Sequence, residues 1–139
     1  MKLLITEPTA VVTDRADVVS VRAEDESGSF GILRGHADLV TVLPLSVLAW
    51  RQEDGTEGFC AVRHAVLTVH GGTEVAIAAR QAQLGTDLDQ LEHAVLDRFR
   101  TDEEAERVAR VAELRLHTEA LRRIISALRP NHPEPIAAP

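Results

Sequence analysis

The spacing of hydrophobic residues changes once along this chain, near residue 85. Before that point they occur in short β-branched runs broken by polar positions, as is typical of strands. The clearest runs are Val11-Val12, Val18–Val21, Leu39–Leu43, Val66–Val69 and Val75–Ile77. Turn signals separate these runs: Asp25–Gly28, Asp54-Gly55 and Gly71-Gly72. The pattern predicts an antiparallel β-sandwich over residues 1–84.

From residue 86 to residue 129 there is no glycine or proline, and hydrophobic residues recur at helical spacing. Thr86 is the predicted N-cap of a first helix with the apolar stripe Leu88, Leu91, Val95 and Phe99. Thr101 and Glu104 form a capping box that predicts a second helix. Its stripe is Ala105, Val108, Ala109, Ala112, Leu116, Leu121, Ile124, Ile125 and Leu128. Only Arg100 and Thr101 separate the two, so we expect an antiparallel hairpin over residues 85–129 and a flexible tail over 130–139.

The predicted fold class is therefore α+β with two modules, a β-sandwich followed by an antiparallel helical hairpin. Charge in the second helix is polarised. Acidic residues occupy its start, and its end carries Arg115, Arg122, Arg123 and Arg129. This order is best explained by complementarity to the helix dipole; the alternative is a basic end that docks on an acidic partner surface.

The amino-acid composition disfavours several classes of function. The chain has 139 residues, of which 15 are basic and 22 acidic, giving a net charge of −7, and only 3% are aromatic. These values disfavour nucleic-acid binding, which needs a basic surface or stacking aromatics. One cysteine rules out an internal disulfide. No apolar run approaches the roughly 20 residues that span a bilayer, and the first residues become acidic too early for a signal peptide.

Candidate chemistry is sparse. Cys60 lies in the apolar run Phe59–Val62, which favours a buried, inert thiol. His64 and His70 lack the spacing and the nearby cysteines of a metal site. The segment Gly28–Gly31 lacks the Gly-Lys-Ser/Thr ending of a phosphate-binding loop. The sequence therefore predicts a non-catalytic interaction protein without a cofactor or a metal.

One segment is more specific than these patterns. It reads Gly28-Ser29-Phe30-Gly31-Ile32-Leu33-Arg34-Gly35-His36-Ala37, with Thr41 beyond, and it resembles the signature of the epsilon subunit of F-type ATP synthases. The run Gly85-Thr86-Asp87-Leu88-Asp89 matches that family's junction between sandwich and helices. The chain departs from the family at Arg34, at Leu45-Ser46 and at His64-Ala65, where relatives carry proline or glycine. These departures suggest a divergent branch, such as an alternate bacterial enzyme.

The resemblance implies a subunit of the rotor. The β-sandwich would bind the gamma subunit and rest on the ring of c subunits. The helices would lie beside the sandwich or rise along gamma, contact the alpha and beta subunits and restrain ATP hydrolysis. Such a subunit is peripheral at the cytoplasmic face of the bacterial plasma membrane and meets the membrane only indirectly. It performs no catalysis and binds no nucleic acid.

The resemblance also implies two sets of contact residues. The set facing the c-ring and gamma is Glu26, Gly28, Ser29, Phe30, Gly31, Ile32, Leu33, Arg34, Gly35 and His36. The regulatory set is Arg115, Arg122, Arg123 and Arg129. Two alternatives are open: the apolar residues Phe30, Ile32 and Leu33 could plug the end of the sandwich, and His36 could be a hydrogen-bonded turn residue.

Some relatives bind ATP through a Leu-Asp-x-x-Arg-Ala motif at the start of the helices. Here that run is Leu88-Asp89-Gln90-Leu91-Glu92-His93, so that a carboxylate occupies the arginine position. Because a carboxylate repels phosphate, we expect no physiological ATP site.

Two functions of other classes compete with the rotor subunit. A free-standing β-sandwich adaptor would use residues 102–128 as a dimerisation arm and would form a homodimer. An enzyme would need one cleft that joins His36, Asp38 and Cys60.

Overall fold

A computed structural model describes residues 1–128 of the chain. Residues 1–101 form one compact unit, and a second unit begins at Asp102. Arg129 and the predicted tail, 130–139, lie outside the described residues. The seven strands are β1 (Lys2–Glu7), β2 (Ala10–Arg15), β3 (Val18–Asp25), β4 (Gly28–Leu33), β5 (Leu39–Gln52), β6 (Glu57–His70) and β7 (Glu74–Gly85).

The strands form one hydrogen-bonded sheet in the order β2-β1-β7-β6-β5-β3-β4. Neighbours are antiparallel except β1 and β7, which run parallel. The predicted hairpin at Asp54-Gly55 joins β5 to β6, and the Asp54 carboxylate accepts a 2.9 Å hydrogen bond from the Thr56 N–H. Gly55 has a φ of 85°, a conformation that favours glycine.

The face of the sheet that points into the core changes midway along its three longest strands. On β6, Val62 and Ala65 both face the core although they are three residues apart, an odd number that strict alternation does not allow. His64 lies between them with a φ of 48°. On β5, Leu43 and Leu48 both face the core although they are five residues apart, so the change of face lies between them. It falls at Pro44, which has no backbone N–H to donate to the neighbouring strand. The change of face lets one sheet wrap around a single core as a sandwich, with these positions as its corner.

The core confirms the predicted sandwich. Its fully buried members come from six of the strands: Leu3, Ile5, Val18, Val21, Ile32, Leu43, Leu48, Leu67, Val75 and Ile77. The buried Trp50 indole covers Gly58, where an added Cβ would lie 2.2 Å from the ring. Arg63 is 2% exposed, and its guanidinium donates to the Gln81 side chain. Burial of the guanidinium is therefore matched by a hydrogen bond.

The helical module begins with α1 (Leu88–Gln90), continues as a π-helical turn (Leu91–Val95) and ends with α2 (Leu96–Ala127). The N-cap is Asp87, one residue beyond the predicted Thr86, and its carboxylate accepts from the Asp89 N–H at 3.0 Å. The buried side chains Leu91, Val95 and Phe99 pack against Ala61 on the outer face of β6. Gly85 makes room for this packing, because an added Cβ would lie 2.7 Å from the Leu91 side chain.

The fold class, a β-sandwich followed by a helical module, is confirmed, but the module is one helix and not a hairpin. α2 runs through Arg100 and Thr101, where the turn was expected. The Thr101 hydroxyl donates to the Asp97 carbonyl one turn earlier, at 3.0 Å, and so acts within the helix and not as its cap. No glycine or proline interrupts residues 86–128, so nothing local ends the helix at that point.

Candidate interaction surface

The segment predicted to contact partners forms the edge strand β4 and the turns at its two ends. Glu26, Gly28 and Ser29 lie at the start of the strand, and Arg34 to His36 follow its end. Six residues of strand separate the two ends by roughly 17 Å. The structure therefore divides the predicted contact set between two places.

The apolar side chains of β4 take different roles. Ile32 is fully buried opposite Val21, so it fills the core, one of the two roles that its sequence allowed. Phe30 is half-buried against the same core. Leu33 is 63% exposed and is available to a partner. Gly31 has ordinary strand backbone, and an added Cβ would lie 4.0 Å from the Val21 carbonyl oxygen, an ordinary contact. A partner at this strand would therefore meet Leu33.

Two loops joined by hydrogen bonds form one end of the sandwich, which we call the tip (residues 34–38 and 70–73). The Gly35 N–H donates to the Gly72 carbonyl at 2.8 Å, and the Gly71 N–H donates to the Asp38 carboxylate at 2.9 Å. A Cβ on Gly72 would lie 2.8 Å from the Cα of Gly35. Such an approach requires glycine at position 72. Gly35 has a φ of 87°, a conformation that favours glycine, so both residues are structural. The sequence identified Gly71-Gly72 only as a turn; its contact with Gly35 is non-local.

His36 has the role of a turn residue in this tip. Its N–H donates to the Leu33 carbonyl at 3.0 Å, and its Nδ1 lies 2.6 Å from the Ala37 carbonyl oxygen. A contact of that length requires a proton on Nδ1. Both hydrogen bonds fold the chain sharply after β4 and hold the tip in shape.

The turn at the other end of β4 is ordered by Asp25. Its carboxylate accepts hydrogen bonds from the Ser27 N–H at 2.8 Å and from the Thr41 hydroxyl at 2.7 Å. Hydrogen bonds from Ser27 and Thr41 hold the pKa of Asp25 below its usual value. The turn therefore carries a fixed negative charge next to the exposed Glu26.

An exposed apolar patch on the outer face of the sheet was not predicted. Val40 and Val42 on β5 are 69% and 59% exposed, and Val66, the register partner of Val42, is 43% exposed. Ala78 on β7 continues the row as the register partner of Val66. These residues belong to runs that the sequence predicts as strands, and alternate residues of a strand point to opposite faces of the sheet. Outward β-branched residues on paired strands are a signal of a covered surface.

The helical residues of the predicted regulatory set lie on α2 in the second unit. Arg115, Arg122 and Arg123 are exposed, and Arg129 falls outside the described residues.

Comparison with known proteins identifies the family. Residues 1–85 match the model of the ATP synthase delta/epsilon chain, beta-sandwich domain. An ATP synthase epsilon chain 2 from Paraburkholderia xenovorans is 45% identical over 94% of this chain and 94% of that protein. One of the same name from Cereibacter sphaeroides is 41% identical over 92% and 88%. The chain belongs to the ATP synthase epsilon chains.

A solved structure agrees with this family in its fold. The central stalk and c-ring of the Tetrahymena thermophila mitochondrial ATP synthase contains a chain that aligns with a TM-score of 0.52 at 16% identity. The alignment covers 60% of this epsilon chain and 65% of that one. At this identity the likeness concerns the fold alone.

An epsilon chain is a structural subunit and not a catalytic one. Cys60 is fully buried, as predicted, and burial raises the pKa of its thiol to about 12. His36 and Asp38 lie in the exposed tip, so these three residues do not form the cleft that an enzyme would need. Within residues 1–128, no cluster of three metal-ligating side chains occurs, and no helix is long and apolar enough to cross a membrane.

The position of Glu92 bears on ATP binding. Glu92 lines a cleft of about 660 Å³ between the first helical turns and strands β3 and β5. Glu24 and Asp97 line it too, together with Arg22, His93 and Arg100. Three carboxylates in one cleft oppose the binding of a triphosphate.

We therefore expect that millimolar MgATP leaves the backbone amide NMR signals of residues 85–101 of this epsilon chain unchanged. Sodium chloride at equal ionic strength is the control, because it screens surface charges without occupying a site. Saturable shifts near Asp89 with ATP, absent with the salt, would contradict the prediction.

Proposed function

We propose that this epsilon chain is a rotor subunit of the central stalk, in which the β-sandwich binds gamma and contacts the c-ring while α2 regulates ATP hydrolysis. The observation that carries the proposal is that one sandwich has both a tip held by hydrogen bonds and an exposed apolar patch. A stiff sandwich can transmit torque only if it is held at more than one surface. The tip and the patch supply two such surfaces.

The tip is the proposed contact with the c-ring. Its two loops are joined by one backbone hydrogen bond, by one hydrogen bond to the Asp38 carboxylate and by a close glycine contact. The apolar Leu33 next to the tip and the basic Arg34 within it are both exposed. Residues at the other end of β4, including Glu26, would contact the ring only if the ring also reached along that strand.

The patch formed by Val40, Val42, Val66 and Ala78 is the proposed contact with gamma. Val40 follows the tip by two residues, so the two surfaces are close along β5. Burial of three exposed valines contributes roughly 1 to 2 kcal/mol each to an interface.

Regulation would come from α2, which carries the exposed Arg115, Arg122 and Arg123. In this proposal the helix reaches the alpha and beta subunits and restrains hydrolysis. We also infer that the subunit belongs to an alternate ATP synthase and is peripheral at the cytoplasmic face of a bacterial plasma membrane. Support comes from the two relatives above, both named epsilon chain 2.

The decisive experiment is recovery of partners with a tagged chain from detergent-solubilised membranes of the source organism. We expect gamma and c subunits to co-purify with the wild-type chain. Val42→Lys places a charge in the patch and should weaken the binding of gamma at least about tenfold, since about 1.4 kcal/mol or more of contact is lost. Val11→Lys is the matched control, because Val11 is 63% exposed on β2 and lies outside the patch.

Equal recovery of gamma with both variants would contradict the assignment of the patch. Absence of gamma and c subunits from the wild-type preparation would contradict the proposed function itself.

A further inference from the structure

The two terminal strands of the sheet differ in how their free edges are protected. A terminal strand has unpaired N–H and C=O groups on one side, and soluble proteins commonly shield such an edge with charged residues, prolines or a bulge. At one end of the sheet, β2 carries Asp14 and Arg15, and its register with β1 shifts. At the other end, β4 has no charged residue, no proline and no shift in its register with β3. The free edge of β4 is therefore open to another strand.

The side chains along β4 leave this edge accessible. Within residues 1–128, β4 pairs with β3 alone. Ser29, Gly31 and Leu33 alternate on the face of the strand that points away from the core, and all three are exposed. Two of them have a small side chain or none, so they do not keep a second strand at a distance.

The charges beyond the two ends of β4 are opposite in sign. Glu26 lies two residues before the strand and Arg34 one residue after it, and both are exposed. Within the part of the chain that the structure describes, neither side chain has a hydrogen bond or an ion pair. An antiparallel arrangement of two copies of β4 brings the acidic end of each strand to the basic end of the other. The edge is therefore complementary in charge to itself.

A pairing centred on Phe30 fits both the charges and the two faces of the sheet. A two-fold axis perpendicular to the sheet keeps the core-facing residues of both copies on one face. Phe30 then lies opposite Phe30 of the second copy, Ser29 lies opposite Gly31, and Glu26 lies opposite Arg34 at both ends. Cross-strand aromatic pairs and opposite charges stabilise antiparallel strands. A parallel arrangement would place like charges side by side, so the charges favour the antiparallel one.

We infer that the free epsilon chain associates with a second copy of itself through β4, which extends the sheet across the pair. The added strand supplies backbone hydrogen bonds, and the two ion pairs fix its register. The surface involved is one strand of six residues, which is less than a stable interface of standard size. We therefore expect a dimer that dissociates on dilution.

This association competes with assembly into the rotor. Leu33 and Arg34 belong to the surface proposed above for the c-ring, and the pairing of two β4 strands covers both. One copy of the chain cannot offer the same edge to the ring and to a second copy. The inference concerns the free subunit and goes beyond the proposed function. It is tested without any other subunit, so its failure would leave the proposed function unaffected.

The test is analytical ultracentrifugation of the full chain from micromolar to millimolar concentration at low ionic strength. We expect a monomer at the lowest concentration and a dimer at the highest. Glu26→Arg and Arg34→Glu each create two like-charge contacts and should raise the dissociation constant of the dimer at least about tenfold. Asp14→Arg is the matched control, because it makes the same change of net charge on the opposite edge, at β2, and should leave the dissociation constant unchanged.

Mixing the two edge variants separates a specific contact from a general effect of charge. The Glu26→Arg chain has two basic ends on β4, and the Arg34→Glu chain has two acidic ends. Both chains have a negative net charge, so only a local contact draws them together. We expect the mixture to form a heterodimer about as tight as the wild-type dimer. Circular dichroism confirms that each variant is folded, and a mixture of folded variants that stays monomeric would overturn the inference.

Amide hydrogen exchange locates the contact on the chain. Exchange in residues 28–33 should become slower as the protein concentration rises, because their free N–H groups become paired, whereas exchange in residues 10–15 of β2 should not change. Two results would overturn the inference. One is a wild-type chain that stays monomeric up to millimolar concentration, and the other is a dimer in which protection appears elsewhere, such as in residues 102–128.

Discussion

Deletion of residues 86–139 is expected to raise ATP hydrolysis by the assembled ATP synthase several-fold. In the proposed function α2 restrains the catalytic subunits, and its removal takes away the whole basic end of that helix. The rate of ATP hydrolysis by the purified complex, with the truncated subunit shown to be present, is the measurement. An unchanged rate would exclude inhibition by this helix.

A second truncation separates loss of regulation from loss of stability. Deletion after Thr101 keeps Leu91, Val95 and Phe99, which cover Ala61 on the outer face of the sheet. It also ends at the boundary of the first compact unit. We expect the same rise in hydrolysis from both truncations but a lower melting temperature only for the shorter chain, because its apolar outer face is uncovered.

Phe99→Ala is expected to lower the free energy of unfolding of the first unit by about 3–5 kcal/mol, the range for removal of a buried phenylalanine. The ring is 1% exposed and joins Leu91 and Val95 against Ala61, so its loss leaves a cavity under the start of α2. Urea denaturation followed by circular dichroism measures the global effect. Amide hydrogen exchange should become faster in residues 88–101 than in the strands, since local opening needs less free energy than global unfolding.

Leu88→Ala is the matched control for Phe99→Ala. Leu88 lies on the same helical segment but is 39% exposed and does not belong to the buried cluster. Its replacement should lower the free energy of unfolding by less than about 1 kcal/mol. If the two variants were equally stable, the cluster would not be what holds the start of the helix to the sheet.

The strands were predictable because their signals are local. The β-branched runs and the Asp54-Gly55 turn act within a few residues, and each is found where the sequence indicates. Strand β4 is different, because its residues Gly28–Leu33 are not among the predicted strand runs. The burial of Cys60 followed from its apolar neighbours in the same way. The corner at Pro44 and His64 was not predictable, since a positive φ at a histidine is imposed by the partner strands and has no local signal.

The arrangement of the candidate site could not be predicted from the sequence. Ile32 and Leu33 are neighbours of equal apolar character, and only the register with β3 decides that Ile32 is buried and Leu33 exposed. The contact of Gly35 with Gly72 joins loops far apart in sequence. The patch at Val42 and Val66 needs the pairing of β5 with β6 before it exists as a surface.

The sequence by itself determined that this chain is a β-sandwich followed by a helical module, that its thiol is inert and that its family is the epsilon chains. These properties depend on short-range patterns and on motifs. Tertiary structure decided that the helix continues through Thr101, which residues fill the core, and how two loops close the tip. Those outcomes depend on which strands pair and in what register, and that is fixed only when the whole sheet closes around its core.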